Sequence, residues 1–167
     1  VVDIFNTRAV LLGLAARYFA TMAPPAAHAR LAEALEILRA LGEAEDCDPI
    51  EFAFENGRAV RIISLNCGSE SLHQLLSTQV EASAWGTLWR RAPPDFRTRQ
   101  RRAETAADYL ELGRLLAAGD ADRAESFLRT ASDAGAPAAE VSDLSAKIMC
   151  KAGGQETGRG KSTLVQC

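Results

Sequence analysis

Prolines divide this chain into segments that repeat at the period of an α-helix, and this feature most constrains the fold. Proline removes a backbone N–H and clashes inside a helix, but it fits the first helical turn. Between the prolines, apolar residues recur every three to four positions, which is typical of amphipathic helices. No segment convincingly predicts a strand. The prolines stand at Pro24, Pro25, Pro49, Pro93, Pro94 and Pro137.

The spacing predicts six or seven helices. Their short connections favour antiparallel neighbours, so we expect an all-α antiparallel bundle. Asp3, Asp48 and Asp95 are the predicted caps of the first, third and fifth helices. The predicted helices run from about Asp3 to Met22, Pro25 to Leu41, Asp48 to Asn66, Ser69 to Arg90, Asp95 to Ala118, Ala121 to Ala134 and Pro137 to Lys151.

Length and composition set the domain organisation and the class of protein. With 167 residues, of which 47% are hydrophobic and 25% charged, the chain can fold without a metal or disulfide. We expect one helical domain over residues 1–136, an additional helix over 137–152 and a flexible tail over 153–167. No apolar run approaches the roughly 18 residues of a membrane span, so we expect a cytoplasmic protein without membrane contact.

Charge and motifs indicate neither nucleic-acid binding nor catalysis. The net charge of −3 gives no footprint for nucleic acid. Residues 158–163 look like the end of a phosphate-binding loop, but Gln155 stands where the loop needs a glycine. The four cysteines form no CxxC pair, and the two histidines are far apart. We therefore predict no catalytic residue, no cofactor and no metal.

A cluster of arginines precedes and opens the fifth predicted helix. A phosphate-binding role is one interpretation. A solvated helix start is the preferred one, because acidic residues follow at the spacing of helical ion pairs. The arginines are Arg90, Arg91, Arg97, Arg99, Arg101 and Arg102, and the acidic residues are Glu104, Asp108 and Glu111.

The segment from Tyr109 to Leu128 resembles half of a tetratricopeptide unit, a helix pair that stacks with further copies. No second copy occurs at the expected period. A stand-alone α-helical protein-interaction module is therefore the alternative function.

The order of the segments resembles the FCD domain, the effector-binding and dimerisation domain of GntR-type bacterial transcription regulators of the FadR group. The resemblance covers about residues 4–132. It implies a homodimer with a pocket for a small metabolite, and DNA contact only through an N-terminal winged helix-turn-helix domain that this chain lacks. The matching segments are Arg8–Arg17, Asp48–Leu65 with the turn Gly68-Ser69, and Ala107–Arg129 with the corner Gly119-Asp120.

The resemblance also locates a metal site that many family members have. In those members one Asp and three His hold a divalent metal. The corresponding residues here are Asn56, Val60, Tyr109 and Ala131. Val and Ala have no donor atom, and Asn and neutral Tyr are poor ligands for a transition metal. Leu12 stands where members often have Glu, which removes further polarity.

The resemblance therefore implies a metal-free effector pocket that is less polar than usual, suited to an organic acid or a more apolar metabolite. Arginines near in helix position are candidate partners for an anionic ligand. A surface or structural ion pair is the preferred alternative for each arginine, and Asn56 and Tyr109 are alternatively ordinary core residues. The candidate effector-binding residues are Asn56, Val60, Tyr109, Ala131, Arg8, Arg58 and Arg61.

The residues at the family's metal positions yield a first prediction. We expect the purified protein to contain no stoichiometric Zn, Ni or Mn, because the four positions supply no strong ligand set. Elemental analysis checks this directly. One metal ion per chain, retained after dialysis and lost on mutation of Asn56, would contradict it.

Overall fold

The computed structural model describes residues 2–81 and 96–134. Within them the chain is all-helical, with six α-helices and no strand, as the sequence predicts. None of these helices is long and apolar enough to cross a membrane. The helices are α1 (Val2–Met22), α2 (Pro25–Glu43), α3 (Pro49–Leu65), α4 (Glu70–Glu81), α5 (Arg99–Ala117) and α6 (Ala121–Ala134).

The prolines act as helix starts where the structure describes them. Pro25 and Pro49 occupy the beginnings of α2 and α3. Asp48 caps α3, since its carboxylate accepts a hydrogen bond from the N–H of Ile50 at 2.9 Å. The predicted end of the fourth helix at Arg90, the seventh helix and the tail lie outside the described residues.

Two predicted caps are wrong. α1 already includes Val2, so Asp3 lies inside the helix. α5 is capped by Thr98 instead of Asp95, and the Thr98 hydroxyl accepts a hydrogen bond from the N–H of Arg101 at 3.3 Å. The helix starts later than predicted because the carbonyls of Phe96 and Arg97 accept hydrogen bonds from the buried Arg102 side chain of α5.

The predicted corner between α5 and α6 is confirmed at Gly119-Asp120. Gly119 has a φ of 69°, a left-handed conformation that glycine adopts without strain. The N–H groups of Gly119 and Asp120 donate to the carbonyls of Leu116 and Leu115, which closes the end of α5. The Asp120 carboxylate then accepts from the N–H of Arg123 and caps α6.

The helices pack around two neighbouring apolar clusters. α1 packs chiefly against α6, and α2 packs against α5 and α3. The larger cluster contains Phe19 and Leu116, and the smaller one is built on an edge-to-face contact between Phe52 and Phe96, whose ring centroids are 4.8 Å apart. Tyr109 contacts both clusters, so it lies at the junction of the two halves of the core.

Arg102 is buried in this core, with 2% of its surface exposed, so its assignment to a solvated helix start is wrong. Its guanidinium donates to the carbonyls of Ala44, Phe96 and Arg97 at 2.9, 3.1 and 3.2 Å. One cation thereby joins the end of α2 to the segment that enters α5. Its neighbour Arg101 remains near the surface, with Glu104 at 3.9 Å as expected.

We predict that Arg102→Met lowers the free energy of unfolding by about 3 kcal/mol. The substitution keeps the apolar stem but leaves three carbonyls without their charged donor. Arg101→Met is the matched control and should cost less than about 0.5 kcal/mol, because its ion pair is exposed. Denaturant unfolding measures both. Equal stability of the two variants would show that the buried guanidinium is not structurally important.

Candidate functional site

The site begins with the position of Tyr109 on α5. Arg102, Ala106 and Tyr109 follow one another at spacings of four and three residues, so they share one face of the helix. Arg102 fixes the start of that face against α2, and Ala106 packs in the smaller cluster. The ring of Tyr109 keeps some exposed surface, while its hydroxyl lies among packed core atoms.

Helix α3 brings Asn56 to the Tyr109 hydroxyl. Asn56 lies one turn beyond Phe52 on the buried face of α3 and is 8% exposed. Its side chain lies close enough to the Tyr109 hydroxyl for a hydrogen bond that favours the ionised phenolate and lowers the pKa of Tyr109. The Oδ1 atom of Asn56 is buried and has no hydrogen-bond partner among the described residues. An unused acceptor therefore lies beside the tyrosine.

Helix α1 contributes the third polar group, Arg8. Arg8 precedes Leu12 by one helical turn, on the side of α1 that faces the core. Burial lowers the pKa of its guanidinium, and its positive charge acts on Tyr109. Three helices thus place Arg8, Asn56 and Tyr109 together, and these three residues are called the polar cluster below.

The environment raises the pKa of Tyr109 to about 12. Burial is the main cause, because the phenolate loses its hydration, and the Asp108 carboxylate acts in the same direction. The charge of Arg8 and the hydrogen bond from Asn56 oppose this shift but do not cancel it. At neutral pH the polar cluster therefore holds a neutral hydroxyl, an amide and a guanidinium cation.

Such a group of residues can bind an anion but is poorly suited to catalysis. Arg8 supplies charge, and the Tyr109 hydroxyl can donate or accept a hydrogen bond. A tyrosine whose pKa lies near 12 is a weak general base or acid at neutral pH. The polar cluster is therefore suited to hydrogen bonding and to the attraction of an anion.

The remaining candidate residues lie elsewhere on the helices. Val60 is half-buried one turn after Asn56 and packs against the larger cluster. Arg58 and Arg61 are exposed, and Arg58 pairs with Glu55 at 3.2 Å. A helix turns about 100° per residue, so both arginines point away from Asn56. For Ala131, the structure describes only its place in the last turn of α6.

The residues at the family's metal positions do not fit a metal ion. Asn56 and Tyr109 are together, but Tyr109 holds its proton up to a pKa of about 12, and Val60 offers no donor. Arg8 adds a positive charge that opposes a cation. Across residues 2–81 and 96–134, no three His, Cys, Asp or Glu side chains gather in a way that could hold a metal.

The structure also contains a cleft that the sequence does not predict. It lies between α2 and α5, has a volume of about 260 Å³ and is lined mainly by apolar groups such as Leu31, Leu35 and Leu110. His28 and Glu36 supply its polar edge. The width of a cleft depends on the separation of two helices, and helical periodicity does not report that separation.

Comparison with known proteins identifies one family. The model described as FCD domain matches residues 3–133, nearly all of the described helices. No curated protein matches the chain. The segment from Tyr109 to Leu128, which resembles half of a tetratricopeptide unit, forms the end of α5 and most of α6 within the matched region.

We predict that stability falls as the pH rises from about 10 to 12. The unfolded chain ionises Tyr109 near its ordinary pKa of about 10, whereas the folded chain holds the proton up to a pKa of about 12. The stabilisation is complete below pH 10, and up to about 3 kcal/mol is lost by pH 12.

The pH dependence is measured by comparing wild type with Tyr109→Phe. The difference in their tyrosinate absorbance gives the ionisation of Tyr109, since the chain has two tyrosines and the variant keeps Tyr18. We expect a midpoint near pH 12. A midpoint near pH 10 would mean that the hydroxyl is hydrated.

Proposed function

The chain belongs to the FCD domain family, and we propose that it is the ligand-sensing domain of a GntR-type transcription regulator. FCD domains are effector-binding domains of regulatory proteins and not of enzymes. In this proposal a small molecule binds the polar cluster and changes how a separate N-terminal domain contacts DNA. The regulator acts as a homodimer.

The observation that carries the proposal is the unused Oδ1 atom of Asn56. A buried acceptor without a partner costs about 1–3 kcal/mol, and an apolar residue at this position would avoid that cost. The Asn56 side chain lies at the neutral Tyr109 hydroxyl, on which the charge of the partly buried Arg8 also acts. A ligand that donates a hydrogen bond to Oδ1 would offset the free-energy cost of this unpaired acceptor. Ligand binding would therefore explain why a polar residue occupies the position.

The chemistry of the polar cluster specifies the effector. Arg8 favours an anionic group such as a carboxylate. The Oδ1 atom of Asn56 requires a hydrogen-bond donor on the same molecule, for example a hydroxyl or an amide. The surrounding core is apolar, so the rest of the molecule is small and weakly polar. We therefore propose a small organic acid that carries one hydrogen-bond donor.

Binding at the polar cluster would connect three helices that otherwise meet mainly through apolar contacts. Arg8 belongs to α1, Asn56 to α3 and Tyr109 to α5. A ligand that contacts all three favours the arrangement in which they are closest, and it shifts the population towards that arrangement. α1 is the helix nearest in sequence to an N-terminal DNA-binding domain, so a shift of α1 would reach that domain.

A thermal-shift screen of small organic acids tests the proposal. A ligand at 100 times its dissociation constant adds about 2.7 kcal/mol, which raises the melting temperature by roughly 5 to 10 °C. In Asn56→Leu we expect the affinity for the same compound to fall at least tenfold, since a hydrogen bond worth about 1.4 kcal/mol is lost.

The matched control is Gln74→Leu, which makes the same kind of change on an exposed face of α4. It should leave the affinity unchanged. Without ligand, Asn56→Leu should melt close to the wild-type temperature, because loss of the unpaired acceptor offsets loss of the hydrogen bond to Tyr109. Equal affinity of wild type and Asn56→Leu for a compound that binds would refute the polar cluster as the effector site.

A further inference from the structure

The outward side of α3 carries a line of apolar side chains, called the stripe below, that no other helix covers within residues 2–81 and 96–134. Ile50, Phe54 and Leu65 are exposed along it, and Phe54 keeps 74% of its surface accessible. Gly57 lies beside this line, and a Cβ atom added there would meet nothing within 4 Å. Ile50 and Phe54 are one helical turn apart and form an exposed apolar patch, and Leu65 lies three turns further along the same face, beyond Arg61. Surface helices more often expose apolar residues singly, so a patch that includes a large aromatic side chain indicates a contact surface.

The stripe is symmetric about its centre. Ile50 and Leu65 lie at equal distances on either side of the bond between Gly57 and Arg58, and Phe54 and Arg61 do the same. The rise of a helix puts the two ends of the stripe about 22 Å apart. When two copies of α3 are placed antiparallel, Ile50 of each copy lies opposite Leu65 of the other, and Phe54 lies opposite Arg61.

The charges of α3 have the same complementarity. Glu51 and Glu55 lie in the first half of the helix, and Arg58 and Arg61 lie in the second. Two copies of α3 running antiparallel would place the acidic half of each beside the basic half of the other. Parallel copies would instead bring like charges together, which is unfavourable.

We infer that α3 packs antiparallel against α3 of a second copy of this chain, across a two-fold axis near Gly57. This names the contact surface of the homodimer that the proposed function requires, and it rests on that part of the proposal. A two-fold interface uses the same patch on both copies, so it needs a self-complementary surface, and the stripe is one.

The contact has a defined composition. Phe54 lies against the guanidinium of the partner's Arg61, which gives a cation–π interaction at two equivalent places. Ile50 packs against the partner's Leu65 at each end. Gly57 at the axis lets the two backbones approach closely. Glu55, which pairs with Arg58 within the chain, also lies within reach of the partner's Arg58.

The same helix carries Asn56 on its other side. Asn56 is two residues from Phe54, which places it about 200° around the helix. One rigid element therefore has the proposed effector contact on its buried face and the proposed dimer contact on its exposed face. A small rotation of α3 on ligand binding would change the angle between the two copies.

Sedimentation of the full chain tests the surface. We expect the wild type to be a dimer at micromolar concentration, and Phe54→Glu to raise the dissociation constant at least a hundredfold without changing the helical circular dichroism. Leu75→Glu is the control, because Leu75 is 56% exposed on α4 and lies outside the stripe. It should remain as dimeric as the wild type.

A charge exchange tests whether the α3 faces of two copies meet. One variant carries Glu51→Arg and Glu55→Arg, and the other carries Arg58→Glu and Arg61→Glu. Each alone should be monomeric, since its α3 face has one sign of charge. An equimolar mixture should form a heterodimer, with an affinity at least tenfold above that of either variant for itself.

The outcomes separate this inference from the proposed function. A wild-type dimer that persists in Phe54→Glu would overturn the α3 surface while leaving a dimeric regulator in place. A monomeric wild type would overturn both the surface and the dimer. Effector binding in the thermal-shift screen would stand in either case, because it depends on the polar cluster and not on the second copy.

Discussion

The buried guanidinium of Arg102 is the constraint on which the arrangement of the helices depends. A charge in an apolar core is stable only when hydrogen bonds compensate for its lost hydration. Here Nη1 and Nη2 donate to three backbone carbonyls from two separate segments, while the buried Nε has no partner among the described residues. This requirement holds the end of α2 to the entrance of α5. It also explains why α5 begins at Arg99, since Phe96 and Arg97 must stay outside the helix to supply their carbonyls. Two helical turns later, the same face of α5 presents Tyr109 to Asn56 of α3.

Unlike the burial of Arg102, the presence of the polar cluster is not explained by a structural requirement. Phe19, Phe52 and Leu116 fill the two apolar clusters without polar help, and the junction between those clusters could equally have been apolar. Instead it holds an arginine, an amide and a tyrosine, and one of the amide atoms is unused. Natural proteins commonly give up some stability in this way where they bind a ligand. The resemblance implies that metal-binding members of the family use one Asp and three His in this region. In the proposed function, the positive charge of Arg8 takes the place of the metal's charge in attracting an acid.

The helical spacing of the apolar residues, together with the positions of prolines, capping residues and glycines, was sufficient to predict most of the fold. The all-α class, the start of α2 at Pro25, the cap at Asp48 and the corner at Gly119 all follow from local rules that act within one or two helical turns. The cap of α5 and the burial of Arg102 did not follow, because both depend on Ala44, which is 58 residues away in sequence. The resemblance to the FCD family predicted that Asn56 and Tyr109 lie in the same pocket. The sequence does not predict the contact between them, the exposure of Phe54 or the cleft between α2 and α5. All three depend on how two helices are rotated against each other, which helical spacing does not fix.

The central claim is that a small acid occupies the polar cluster, and the side-chain amide resonance of Asn56 reports on it most directly. The resonance is assigned by its loss in Asn56→Leu and followed in a nitrogen–proton correlation spectrum while an acid that stabilises the protein is added. We predict that this resonance moves, and that its movement saturates at the same ligand concentration as the rise in melting temperature. An unmoved Asn56 amide at a saturating concentration of a stabilising acid would contradict the account, because the ligand would then be bound elsewhere.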